Sequence, residues 1–511
     1  MTDLVQAVLE TADAHPALPA LTFRDRTLGY GELASAIRRT AASLQAEGMA
    51  KGDRVLFSIR PSTDAVILAL GIVAAGGVVV FADPGAGEAL FRSRAALAAP
   101  RWVAAESLLY LASSGPLRAL ARRRGLELAP YARLVPQARH LLSGRWLPGV
   151  PRGALPVRAL STGPSRDLPP VSAEGEALVI FTSGTTDAPK AVVHSRGSLG
   201  AGLGDFAARV GIRVGQRVLT DQLMVGVPAL IAGAHWTLPP AGANPGARPE
   251  QYLRLLPDAE LLFAVPAALD AMLRALDARP ELVPARLDTI VLGGAPVLRP
   301  LLERIFARFP EVAVRAVYGM TEILPVAIAD GREKLGLDPA QGDAVGAVAP
   351  SVTARIDGGE LVLSGPGLAI GYLGQPPMSQ LRTGDRARID GDRLTLLGRE
   401  KEMFIRGTQN VYPGLYEPLI AGLPGVADAA MAGIADEIGD DRIVVAVVPG
   451  QDAPTAADPR HPVARSVARA LPGLIDAGVL PDAVVALPAL PRAGRSRKLD
   501  RAALTRMLAG S

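Results

Sequence analysis

The chain predicts an α/β fold. A large N-terminal αβ-layered unit with largely parallel sheets should carry a β subdomain, followed by a small α+β C-terminal unit. Three observations predict it. Short apolar runs alternate with helical stretches as far as Tyr318, the pattern of helices packed on a parallel sheet. Beyond Tyr318 the pattern turns to short β pieces separated by hairpin turns. At 511 residues the chain is too long for one core.

The elements follow in order. Residues 65–82 form eighteen positions without a charge, the lower limit for a membrane span. Gly76-Gly77 interrupts them, and the composition changes there from Ala/Leu-rich to Val78-Val79-Val80-Phe81. That predicts a buried helix, a glycine turn and a buried strand, with no span. Arg122-Arg123-Arg124 reads as a solvated helix end. The stretch 147–174, rich in Pro, Gly and Ser, predicts a surface excursion. Runs 178–181, 261–265, 289–292 and 312–317 predict buried strands, and 266–276 and 300–309 the helices between them. Further on, 353–356, 360–363, 387–389 and 394–397 predict strands joined at Asp357-Gly358-Gly359 and Asp390-Gly391-Asp392. Strands near 429–431 and 443–448 belong to the last unit, and the boundary is expected between 1–399 and 400–511.

Composition excludes several classes. Apolar residues make up 49% and charged residues 20%, an ordinary globular balance. The formal charge of +4 gives no basic patch and no expectation of nucleic-acid binding. Zero cysteines exclude disulfides, thiol catalysis and Cys-ligated zinc, and suit a reducing compartment. Met1-Thr2-Asp3 opens no signal peptide, so a cytoplasmic location is expected.

Lysine is rare: five against forty-nine arginines. Lys190, Lys401 and Lys498 fall where a compact, mobile ammonium suits the chemistry better than a flat guanidinium. Lys190 closes Thr182-Ser183-Gly184-Thr185-Thr186-Asp187-Ala188-Pro189-Lys190, which follows a predicted strand. Hydroxyls, a glycine turn and a lysine can converge on phosphate oxygens. No glycine precedes the lysine and Ala191 follows it, so this is not a Walker loop.

Here the chain resembles the adenylate-forming superfamily of acyl-CoA synthetases, luciferases and peptide-synthetase adenylation domains, nearly end to end. Leu28-Gly29-Tyr30-Gly31-Glu32-Leu33 and Ala75-Gly76 to Asp83-Pro84 resemble its early motifs. Gly293-Gly294-Ala295-Pro296 resembles the adenine-site turn, and Tyr318-Gly319-Met320-Thr321-Glu322 its most diagnostic pentapeptide. Thr383-Gly384-Asp385, Gly398-Arg399 and Lys498 complete the series.

The resemblance implies ATP- and Mg²⁺-dependent activation of a carboxylic acid, fatty or otherwise aliphatic, to an acyl-adenylate. Transfer to the thiol of CoA or of phosphopantetheine on an acyl carrier protein would follow. Glu322 would bind Mg²⁺, a hard oxygen for a hard cation. Thr321 would donate to the α-phosphate, Tyr318 would lie against adenine, and Asp385 and Arg399 would hold the ribose. Lys498 would neutralise charge as it develops. Lys401 would mark a hinge about which the C-terminal unit rotates.

Departures from the family pattern bear on function. Asp187 and Ala191 replace glycines, Arg196 replaces a histidine beside the acyl pocket, Thr408 replaces a tunnel glycine, and Arg497 precedes Lys498. Residues 491–498 are one longer than usual. Asp83-Pro84-Gly85 and the continuation Ile323-Leu324-Pro325-Val326 resemble β-lactone synthetases, which close a β-hydroxy acid on itself. A nucleotide-binding relic that docks carrier proteins is the contrasting alternative. Pocket residues are expected within 219–231 and 291–318.

Overall fold

Two large sheets face each other across a layer of helices. The computed structural model describes residues 3–123, 127–164, 172–182, 190–295, 297, 299–337, 343–399, 404–406, 409–411, 413–435, 441–475, 477–493 and 498–509. One sheet has 13 strands and the other 8. The largest buried cluster joins Val55 and Val79 of the smaller sheet to Leu21, Trp236 and Leu261 of the larger. Helices Tyr30–Ala46, Thr63–Ala74 and Arg196–Val210 supply the residues between them. A helix buried on both sides must be apolar almost all round, which is why 65–74 reads so hydrophobic.

That apolar run resolves as expected. Ser62 caps the helix through Ala65 N at 3.2 Å, and Gly76 takes φ 90° in the turn. The strand Val78–Phe81 then enters the smaller sheet, parallel to Arg54–Ser58 on one side and Glu176–Thr182 on the other. No helix among the described residues is long and apolar enough to cross a membrane.

Strand Glu176–Thr182 turns back as Lys190–Ser195, whose outer edge pairs with the two-residue strand Gly371–Tyr372. In the larger sheet, Leu261–Ala264, Thr289–Gly293 and Ala313–Met320 are parallel neighbours, with helices Pro266–Ala278 and Arg299–Arg308 between them in sequence. Ala313–Met320 then reverses into Ile323–Asp330. Through Asp343–Val348 the sheet continues to Arg393–Arg399, Leu381–Asp390, Glu360–Ser364 and Thr353–Asp357. The expected β subdomain therefore has its own core but no sheet of its own. The Ala313–Met320 edge would otherwise leave a row of unpaired N–H and C=O groups, and the antiparallel strands cover it.

The glycine hairpin turns form where expected. Gly358 and Gly359 take φ 61° and 87°, and Gly391 takes φ 64°. Arg122 and Arg123 end the helix Gly115–Arg123, with Arg122 near Glu88 and Glu127; Arg124 lies outside the described residues. Among its described residues the stretch 147–174 is mostly exposed or half-buried, the surface excursion expected, with Val150, Val157 and Leu160 buried. It contains the helix Val157–Leu160, whose Val157 and Leu160 join the main core, and Ser43 Oγ donates to the Leu160 carbonyl at 3.0 Å.

Strands Val426–Ala435, Asp441–Pro449 and Ala483–Ala486 make a three-stranded sheet. The two buried clusters on its faces draw only on residues from Phe404 onward.

Candidate active site

The hairpin between Ala313–Met320 and Ile323–Asp330 carries Tyr318, Gly319 and Met320 at one strand end and Thr321 and Glu322 in its turn. A Cβ at Gly319 would lie 2.4 Å from Leu324 Cδ1, so any larger residue there makes the Leu324 side chain move. Three neighbours hold the turn. His194 Nε2 lies 2.7 Å from the Thr321 carbonyl oxygen. Ala369 N donates to the Glu322 carbonyl at 2.8 Å. The Tyr372 hydroxyl donates to Glu322 Oε1 at 2.7 Å.

Tyr372 also brings in Lys190. The pairing of Gly371–Tyr372 with Val192 and Val193 sets the tyrosine beside the start of the lysine strand. Lys190 Nζ stands 5.3 Å from the Tyr372 ring centroid, a cation–π distance. Lys190 pairs in register with Thr182 on the neighbouring strand. Ser183, Gly184, Thr185, Thr186 and Asp187 lie outside the described residues.

Asp385 reaches the same turn from the antiparallel strands. Its side chain is buried and accepts from the Tyr318 hydroxyl at 2.5 Å. Thr383 fixes its backbone: Asp385 N donates to Thr383 Oγ1 at 3.0 Å, and that hydroxyl donates to the Leu361 carbonyl at 2.9 Å. Gly384 between them takes φ 74°. The Gly293-Gly294-Ala295 turn ends the neighbouring parallel strand, where Gly293 pairs with Val317 and Gly294 takes φ 82°. These groups gather outside the carboxyl ends of parallel strands, where α/β sheets characteristically bind ligands.

Arg399 pairs in register with Asp385, and Lys498 opens the short strand Lys498–Leu499 opposite Ala493. Both side chains, with Pro296, Lys401, Thr408 and Arg497, lie outside the described residues. No group of three or more His, Cys, Asp or Glu side chains able to hold a metal occurs among the described residues. A lone Glu322 nevertheless fits Mg²⁺, which typically takes one or two protein carboxylates and completes its shell with phosphate and water.

Three participants were not evident in the sequence. His194 is 4% exposed, with Nδ1 3.1 Å from Ser198 Oγ. Burial lowers its pKa, and the Thr321 carbonyl opposes that shift. Tyr372 sits in a strand too short to show a period. Asp3 is the third: Arg196, which stands where the family has a histidine, turns its guanidinium onto both Asp3 oxygens and the Val73 carbonyl. Lys334, outside the motifs, forms a structural ion pair with Asp343.

A family model described as AMP-binding enzyme matches residues 8–373. The indoleacetate–CoA ligase of Aromatoleum aromaticum is 28% identical, aligned over 96% of this chain and 95% of its own. The fatty acid–acyl-carrier-protein ligase ScoC of Streptomyces coeruleorubidus is 27% identical, over 88% of this chain and 87% of its own. The fold is that of the amide bond synthetase McbA from Marinactinospora thermotolerans, with a TM-score of 0.79 at 22% identity and 99% of each chain covered.

Proposed function

This chain belongs to the AMP-binding enzyme family, as an AMP-forming ligase of the acid–thiol class, and from that premise we propose its substrates and the roles of its residues. It activates an aliphatic carboxylic acid with ATP and Mg²⁺ to an acyl-adenylate, releases pyrophosphate, and passes the acyl group to the thiol of CoA or of a carrier protein. The name of ScoC supports both a fatty acid and a carrier acceptor. The observation that carries the reading is the convergence of Lys190, Tyr318, Glu322 and Asp385 on one hairpin turn.

Attack of a carboxylate on the α-phosphorus is an in-line displacement at a crowded anionic centre, so the protein mainly positions groups and neutralises charge. Asp385 accepts from the ribose hydroxyls, with Arg399 beside it, and Tyr318 lies against adenine over the Gly293-Gly294-Ala295-Pro296 turn. Thr321 donates to the α-phosphate, while Lys190 and the hydroxyl loop 182–186 hold the outer phosphates. Glu322 holds Mg²⁺, which supplies charge neutralisation for the phosphates. Lys498 comes from the 400–511 unit to meet charge developing between carboxylate and phosphate. Rotation about Lys401 then exchanges that arrangement for the thiol-transfer one.

Pyrophosphate exchange across a panel of acids, followed by mass spectrometry with and without CoA, tests this. An adenylate that CoA or a carrier thiol discharges supports it. A CoA-free product one water lighter than a β-hydroxy acid would replace thiol transfer with lactone closure. Exchange with no acid in the panel would leave a nucleotide-binding relic.

A further inference from the structure

We infer that His194 is a positioning residue for adenylation, locking the Thr321–Glu322 turn to the strand that carries Lys190. The inference rests on the roles proposed above for Thr321 and Glu322. His194 follows Lys190 by four residues in the strand Lys190–Ser195, so alternation puts both side chains on one face. One of them meets the Tyr372 ring and the other the Thr321 carbonyl. A single strand thereby fixes the spacing between a cation at the phosphate loop and the turn opposite it.

One constraint orders the hydrogen bonds around the ring. A carbonyl oxygen only accepts, so the proton in the 2.7 Å contact belongs to His194 Nε2. In the neutral ring Nδ1 is then the acceptor, with Ser198 Oγ 3.1 Å away, and the one hydroxyl proton of Ser198 has the Ser195 carbonyl at 3.2 Å as its other acceptor. Ser198 Oγ in turn receives the Ser195 N–H at 3.1 Å, inside the capping box that starts the helix Arg196–Val210. The Thr321 carbonyl therefore selects the tautomer, and the helix start sits against the opposite nitrogen of the ring. With the ring 4% exposed, no solvent replaces the donor if it is lost.

His194→Leu removes the donor, and His194→Gln returns an N–H at a similar reach. Misplacing reacting groups by an ångström costs about 10²-fold in rate. His194→Leu should accordingly lower the exchange kcat by about that factor, with little change in the KM for the acid. His194→Gln should recover most of the loss. Both variants are checked for an unchanged melting temperature. In the wild type, ¹⁵N-histidine NMR should show a protonated Nε2 on the signal that His194→Gln removes from the five histidines. A folded His194→Leu protein that exchanges at the wild-type rate overturns the inference, as does a bare Nε2. Equal damage in the Gln and Leu variants also overturns it. If the wild type exchanges no acid, the adenylation reading fails instead. The ring's protonation and the ATP affinity of His194→Leu, measured by calorimetry, then decide the positioning role by themselves: weaker ATP binding sustains it and unchanged binding removes it.

Discussion

Replacing Arg196 with methionine separates a strut from a substrate pocket. The guanidinium grips Asp3 in a fork, with Nη2 on Oδ1 at 2.7 Å and Nε on Oδ2, while Nη1 reaches the Val73 carbonyl. Both side chains are 8% exposed, so solvent neither screens the pair nor replaces it. Methionine keeps most of the stem's packing and removes the charge with its three donors. Stripping one partner from a buried pair typically costs 3–5 kcal/mol. Asp3 retains the N–H groups of Val5 and Gln6 at 2.9 and 3.0 Å, which puts the expected loss at the lower end, about 3 kcal/mol. Urea unfolding followed by tryptophan fluorescence reads it cleanly, because Trp102, Trp146 and Trp236 all precede residue 399. Adding Asp3→Ala removes the stranded carboxylate and costs only its helix cap, about 1 kcal/mol, so the double variant should fall well short of the sum of the singles. The ranking of acids in pyrophosphate exchange should not move. A loss below about 1 kcal/mol, or additive singles, refutes the buried-pair account. A changed acid ranking would put Arg196 at the acyl pocket after all.

Lys498→Ala should reduce acid-dependent pyrophosphate exchange by about 10²–10³ while ATP binding persists, and unchanged exchange would remove Lys498 from the transition state. Glu322→Gln should raise the Mg²⁺ concentration needed for half-maximal activity, and Tyr372→Phe, which deletes the 2.7 Å donor to Glu322, should shift it less in the same direction. A titration that neither variant moves puts the metal ligand elsewhere. His140 is buried with Nδ1 2.9 Å from the Tyr110 hydroxyl, and burial lowers its pKa from 6.5 to about 4. The unfolded chain therefore protonates first. This contribution is intact above pH 6.5 and is lost as pH falls to about 4, by about 3 kcal/mol in total. His140→Asn should flatten that limb of the urea-stability profile, and an unchanged slope would show that the acid loss arises at other groups.

What the sequence discloses is what local chemistry dictates. The turn at 76–77 shows because two glycines break an apolar run, and the hairpin at 358–359 shows because its glycines supply positive φ. Tyr318, Glu322 and Asp385 could be picked out because each sits in a short motif whose neighbours serve the same chemistry. The structure brings Tyr318 and Asp385, 67 residues apart, into one hydrogen bond. The continuity of the 13-stranded sheet was invisible, since a period-two pattern fixes which face of a strand is buried and says nothing of its neighbour.

The supports of the site were hidden for a related reason. His194 reaches Thr321 across 127 positions, Arg196 reaches Asp3 across 193, and Tyr372 reaches Glu322 across 50. None of these side chains belongs to a spacing pattern, because each answers a need created only when distant segments meet. In the proposed function the turn carrying Thr321 and Glu322 presents its side chains to a ligand, so its backbone must be held from behind by other elements. The residues that do this are interchangeable in principle: any donor at the height of His194 Nε2 would satisfy the Thr321 carbonyl. The roles proposed for Glu322 and Lys190 would fix their identities, whereas packing fixes only a distance and a direction for the groups behind them. A sequence therefore exposes the reacting groups first, and their scaffold becomes readable only when the strands Lys190–Ser195 and Gly371–Tyr372 are seen side by side.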